Sequence, residues 1–157
     1  MIDHEGALKI IEGAEQAAMM LSRDPAKRVC AIIDHGDNPA QHRRWIGINM
    51  IAGGIAVPGG DVDRATKLRH TIHAELDALM NAGPGARDGN MYIGATEPDG
   101  RSVGIAPCHI CALHIVHAGI KRVFCRKRPD VSSWKEEWEA SIRLFMIAGI
   151  EFVEIAP

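Results

Sequence analysis

The sequence lacks any run of eighteen consecutive apolar residues, so it offers no transmembrane helix. It also lacks an excess of positive charge. Its 18 Lys and Arg stand against 20 Asp and Glu, a formal net charge of -2, which argues against a protein that holds duplex nucleic acid by a strong positive field. A few local cations would still suffice for one phosphate. Asp3, His4 and Glu5 precede any apolar run, so the start does not read as a secretory leader and a cytoplasmic location is expected. Cysteine is scarce, four in 157 residues, and in that compartment Cys30, Cys108, Cys111 and Cys125 do not read as a disulfide framework. There is no internal repeat, no low-complexity segment and no marked boundary between domains. What remains is ordinary for a soluble globular protein, 46% hydrophobic and 24% charged, and long enough for one domain with a real core.

Helical spacing of Leu8, Ile11, Ala14, Ala18 and Leu21 predicts a helix over 5–21, stopped by Ser22-Arg23-Asp24-Pro25. Residues 28–34 read as a buried strand, 34–39 as a turn, and 43–50 as a second strand, paired with the first as a hairpin. The glycine-rich stretch 52–66 reads as a long loop of the kind that carries function. Helices are then predicted over 72–81, 108–118 and 134–148, with Gly119 and Gly149 as stops and Ser132 or Ser133 as a cap. Strands are predicted over 90–95, 121–125 and 150–155, with a loop over 97–104. The alternation of helix and strand in the second half favours an α/β domain whose sheet is largely parallel after the initial hairpin.

Two short motifs carry the chemistry: His73-Ala74-Glu75 and Pro107-Cys108-His109-Ile110-Cys111. Cys108 and Cys111 are three apart, so a helix beginning after Pro107 puts both thiols on its first turn, facing one way, where the helix dipole favours thiolates. Two thiolates and a neutral imidazole from His73 are good zinc ligands, and three protein ligands leave a position open for water, as in a catalytic site. Bound zinc lowers the pKa of that water from about 16 towards about 7. Glu75, two residues from His73, is placed to move its protons without being a ligand. The competing readings of an isolated Cys-x-x-Cys are a four-ligand structural zinc site and plain core thiols. The preceding His-x-Glu favours the catalytic one.

With these motifs the chain resembles the cytidine and deoxycytidylate deaminase superfamily from about Val29 onward, and most closely the deoxycytidylate (dCMP) deaminases. His73-Ala74-Glu75-Leu76-Asp77-Ala78-Leu79 is similar to their His-Ala-Glu-x-Asn-Ala-Ile helix. Ala118-Gly119-Ile120-Lys121-Arg122-Val123 and the tail from Trp134 to Glu151 are similar to their later helices and strands. The resemblance implies a three-layer α/β/α fold around a five-stranded mixed sheet, with a last strand parallel to its neighbour and the whole of 1–157 as one zinc-dependent deaminase domain. It implies one Zn2+ per subunit, a small-molecule nucleotide substrate and a homo-oligomer, dimer or hexamer; a membrane or nucleic-acid partner is not expected. It also implies hydrolytic removal of an exocyclic amine, with dCMP to dUMP as the leading reaction.

Gly47-Ile48-Asn49 is similar to the family's Gly-Tyr-Asn-Gly, which makes Asn49 a candidate for the sugar and phosphate end of the substrate. Ala74, Ala106 and Pro107 are candidates for contact with the ring. Arg64, Lys67 and Arg69, ahead of the histidine motif, are candidate phosphate contacts or a solvated basic stretch. The chain departs from the family in Ile48, Met50, Asp77 and Ala106, the last where Ser or Glu usually precedes Pro-Cys. A nucleotide other than dCMP, a modified or free base, and adenosine in tRNA therefore stay open, as does a zinc-stabilised binding module without catalysis. His70 reads as solvated or hydrogen-bonded, with a place lining the site as the alternative; His109, between the cysteines of a helix, should point away from the metal. His114 and His117, three apart, lack the further ligands a second metal needs. Cys30 and Cys125 read as packing residues, and Trp134 and Trp138 as core or subunit contacts, with base stacking as the alternative.

Overall fold

A computed structural model describes residues 4–36, 43–51 and 64–156. Among the described residues the central sheet has six strands, one short strand more than the expected five. β1 (Arg28–Asp34) runs antiparallel to β2 (Arg44–Ile48) on one side and to β5 (Asn90–Thr96) on the other. β7 (Arg122–Arg126) and β8 (Glu151–Ile155) follow parallel to β5, giving the order β2-β1-β5-β7-β8. β6 (Ser102–Val103) adds a short antiparallel pair at the end of β5, inside the stretch expected to be a loop. A separate two-stranded ladder joins β3 (Met50–Ile51) to β4 (Thr71–Ile72). The mixed sheet and the parallel last strand agree with expectation.

Helix α1 (His4–Leu21) covers one face and α3 (Ala74–Ala82), α4 (His109–Ala118) and α5 (Lys135–Ala148) cover the other. β1 is buried on both faces because Val29, Ala31 and Ile33 point towards α3 while Cys30 and Ile32 point towards α1, so it reads as a continuous apolar run. On α1 the buried stripe is Ala7, Ile11, Ala14 and Ala18, small residues that let the helix lie close to the sheet. Leu21, expected on that stripe, is exposed. Helices α4 and α5 end at Gly119 and Gly149, both left-handed at φ 79° and 72°, as expected of a glycine stop.

Three boundaries differ from expectation. α3 starts at Ala74, two residues late, because the β-branched pair Thr71-Ile72 is drawn into the ladder with Met50-Ile51. Residues 64–66, read as loop, open the short helix α2 (Arg64–His70); the rest of that predicted loop, 52–63, lies outside the described residues, as does the end of the predicted turn, 37–39. Ahead of α5, Ser132 Oγ accepts the Trp134 amide at 3.1 Å and Trp134 itself holds the N-cap position, so the serine turns the chain into the helix rather than capping it.

Candidate metal and catalytic site

Two helix starts converge at the site. Leaving β4, the chain passes through His73, extended at φ -74° and ψ 149°, and turns into α3. Leaving β6, it passes through Ala106 and the fully buried Pro107, and Cys108 (φ -69°, ψ 165°) becomes the N-cap of α4. Pro107 confines Ala106 to extended backbone and stops the helix from beginning earlier. Cys111 then faces the same way as Cys108 from one turn further on.

The result is a cluster of His73, Cys108 and Cys111 whose ligand atoms all lie within 4.8 Å of one another. His73 Nδ1 is 3.5 Å from Cys108 Sγ and 3.4 Å from Cys111 Sγ. A tetrahedral zinc with Zn–N near 2.0 Å and Zn–S near 2.3 Å sets N···S separations of roughly 3.5 Å, and both histidine–sulfur separations match that value. Cys111 is buried and the other two are half-buried, which suits a centre with one side open to a ligand.

Without metal, these groups share protons among themselves. Hydrogen bonding from Cys111, helped by His73, holds the Cys108 thiol down at about 4 against the opposing effect of burial. Cys111, which keeps its proton in that bond, is pushed well up. His73 is raised to about 9, first by its bond to Cys108, with Glu75 and Asp24 adding to the pull. The metal-free site at neutral pH is thus a thiolate beside an imidazolium, a pair whose charges balance and whose protons a cation must displace.

Glu75 sits in the first turn of α3, buried at 4% exposure. Burial raises its carboxyl, and His73 and its own backbone amide only partly oppose this. A carboxyl raised in this way holds a proton more readily than a solvated one, which suits a group that must both take up and return one. It interacts electrostatically with His73 and Cys111 while standing outside the ligand cluster.

Asn49 follows β2, and the β3–β4 register, with Met50 opposite Ile72, sets it one step further along, across from His73. Its side chain is occupied on three sides: Oδ1 accepts Ser22 Oγ at 2.6 Å and the Val29 amide at 2.8 Å, and Nδ2 donates to the Lys27 carbonyl at 2.8 Å. One Nδ2 hydrogen has no partner among the described residues. Ala74 and Ala106 are packed in the interior at 0% and 4% exposure, so backbone groups are what they offer a ligand.

Lys67 does not stand free. Its Nζ lies 2.6 Å from Asp24 Oδ1, with the two side chains 18% and 6% exposed, and the same oxygen accepts the amides of Ala26 and Lys27. Arg69 is exposed, and the Arg64 side chain lies outside the described residues. Ser22 and Asp24, which read in sequence only as a helix stop, are therefore the hub that ties the end of α1, the entry to β1, Asn49 and α2 into one wall beside His73. Their sequence signal was the Ser-x-Asp-Pro turn, whose aspartate caps its own following amides; nothing local marked its partner 43 residues on.

The remaining candidates stay outside the cluster. His70 and His114 are exposed and bonded to the carbonyls of Thr66 and Ile110, and His117 is exposed. Burial pushes the Cys30 thiol up to about 12 and raises Cys125 as well, as befits packing residues. Trp138 is buried against the Arg128 guanidinium, 5.7 Å from the ring centre. Among the described residues no helix is long and apolar enough to cross a membrane.

Comparison with known proteins agrees with this geometry. The profile of the cytidine and deoxycytidylate deaminase zinc-binding region matches residues 10–127. A deoxycytidylate deaminase of Mus musculus is 32% identical over 143 residues, 87% of this chain and 72% of that protein. An uncharacterised deaminase from the luxG 3' region of Aliivibrio fischeri is 27% identical over 136 residues, 83% of this chain and 80% of its own length. Among solved structures, the dCMP deaminase of the cyanophage S-TIM5, determined with dCMP and dUMP, shares the fold at a TM-score of 0.68 and 17% identity, covering 98% of this chain and 99% of that one. A fold with two helix starts meeting at a His/Cys/Cys cluster, a buried carboxylate beside it and a family profile spanning both motifs place the chain in the cytidine and deoxycytidylate deaminase family, as a zinc-dependent hydrolytic deaminase with one zinc per subunit.

Proposed function

We propose that the chain deaminates a cytosine nucleotide, converting dCMP to dUMP with release of ammonia. The observation that carries the chemistry is buried Glu75 beside the His73–Cys108–Cys111 cluster. The pull towards dCMP comes from the deoxycytidylate deaminases that the chain resembles over most of its length.

In this reading His73, Cys108 and Cys111 hold the zinc, which when bound supplies the Lewis acidity that makes a water molecule acidic near neutral pH. Glu75 takes one proton from that water and delivers it to N3 of the cytosine ring while the water oxygen bonds to C4. Glu75 then carries the second proton to the exocyclic nitrogen, the C4–N bond breaks, and ammonia leaves a C4 carbonyl behind. The raised Glu75 carboxyl suits both halves of this shuttle, since one group must accept and donate at one pH. In this reading a backbone amide beside Cys108, other than the His109 amide that Glu137 takes, holds the developing C4 oxygen. On the same reading the Asn49 amide faces the sugar, and the backbone of Ala74, Ala106 and Pro107 lies against the ring. Exposed Met80, Ile110 and Leu113 on α3 and α4 suit a homo-oligomer.

The test is ammonia release from dCMP, deoxycytidine, cytosine, dCTP and a tRNA substrate, side by side, with bound zinc quantified. Turnover of dCMP above the others supports the reading. Zinc-loaded protein that turns over no cytosine compound contradicts the substrate and leaves the metal site standing.

A further inference from the structure

The start of α4 carries two of the three cluster residues, yet its N-cap, Cys108, makes no capping bond with its side chain. The first amides of a helix have no partner within it. Here the His109 amide donates to Oε2 of Glu137 at 3.2 Å, across 28 residues. Glu137 belongs to the first turn of α5, where its carbonyl accepts Ser141 Oγ at 2.9 Å. The next residue, Trp138, is buried and covered by Arg128. The carboxylate therefore reaches α4 from a turn that is itself anchored.

We propose that Glu137 is a positioning residue for the metal centre. Its carboxylate caps α4 from the neighbouring helix and so fixes Cys108 and Cys111 relative to His73 on α3. The inference rests on the reading that these three residues hold the zinc. A cysteine sulfur is one rotatable bond from the backbone, so its place follows the backbone closely. Metal–ligand distances tolerate only about 0.2 Å. An uncapped first turn frays, and Cys108, the outermost residue of that turn, moves first. Charge has little net effect at Glu137, because the dipole at the start of α4 favours the carboxylate while the two zinc-bound thiolates oppose it. What it supplies is a hydrogen-bond acceptor, and an uncharged acceptor of the same length serves as well.

The test measures zinc affinity by competition with a chromogenic chelator for wild type, Glu137→Ala and Glu137→Gln, with the Tm of each metal-free protein alongside. Glu137→Ala is expected to weaken zinc binding about tenfold, the lower end of what losing an outer partner of a metal ligand does, while Glu137→Gln stays within about twofold of wild type. Wild-type affinity in Glu137→Ala overturns the proposal. So does equal weakening in both variants, or a weakening matched by a fall in metal-free Tm, which marks general destabilisation. A wild type that binds no zinc overturns the metal-site reading itself and this inference with it.

Discussion

Replacing Asn49 by alanine separates a residue that builds the site from one that only touches substrate. The side chain makes three hydrogen bonds, to Ser22, Val29 and Lys27, and is 7% exposed. Each such bond contributes about 1 kcal/mol net, and the Val29 amide would be left buried without its partner, so the loss comes to about 3 kcal/mol. For a chain of this size that is a fall in Tm of roughly 6 to 12 °C. The assay is urea unfolding of the zinc-loaded protein, read as a shift in midpoint at constant slope. Ser22→Ala removes one of the three bonds and also the weaker one that Ser22 Oγ accepts from the Asp24 amide at 3.3 Å, and should cost about 1 to 2 kcal/mol. The double variant should then lose less than the sum of the two, because both changes break the same contact. An Asn49→Ala protein within about 0.5 kcal/mol of wild type, altered only in KM, would refute the reasoning. The amide would then serve the ligand and not the wall.

Other expectations follow from the same structure. Removing Arg126 strands Glu15, which is 8% exposed and bonded by the guanidinium at 2.9 Å; Arg126→Ala should cost about 3 kcal/mol in urea unfolding, whereas Glu15→Leu with Arg126→Met should come out near neutral. At Gly47 an added Cβ would lie 2.1 Å from the Ala78 backbone nitrogen, so Gly47→Ala should push β2 off α3 and yield little folded protein; normal expression with unchanged Tm would contradict that contact. Because the ionised form of Glu75 must accept the first proton, kcat/KM should fall as pH drops through the titration of its buried carboxyl; a kcat/KM with no acidic limb would show that Glu75 is not the base. In the metal-free protein His73, raised to about 9, and Cys111 both keep protons that zinc must displace, so log affinity should rise with pH at a slope of about 2 near neutrality; a flat dependence would exclude these ligands.

Local patterns were enough to find most elements and the three cluster residues. A continuous apolar run marks β1, period-3.6 spacing marks α1, and the glycines after α4 and α5 mark their ends. His73, Cys108 and Cys111 are legible because a metal restricts both residue type and spacing. What the sequence hid depends on distant partners. The β3–β4 ladder joins residues about twenty apart in pairs too short to show alternation. Lys67 reads as a cation awaiting a phosphate until Asp24 is seen to hold it. Glu137 reads as one more charge in the first turn of an exposed helix, and its contact with His109 exists only because α4 and α5 start side by side.

The account stands most directly on Glu75. Glu75→Gln should keep the buried site, retain zinc at about one ion per subunit and lose deamination by a factor on the order of 100 or more, the usual contribution of a positioned acid–base group. A zinc-loaded Glu75→Gln protein that still releases ammonia at the wild-type rate would show that the protons move by another route and would contradict the account.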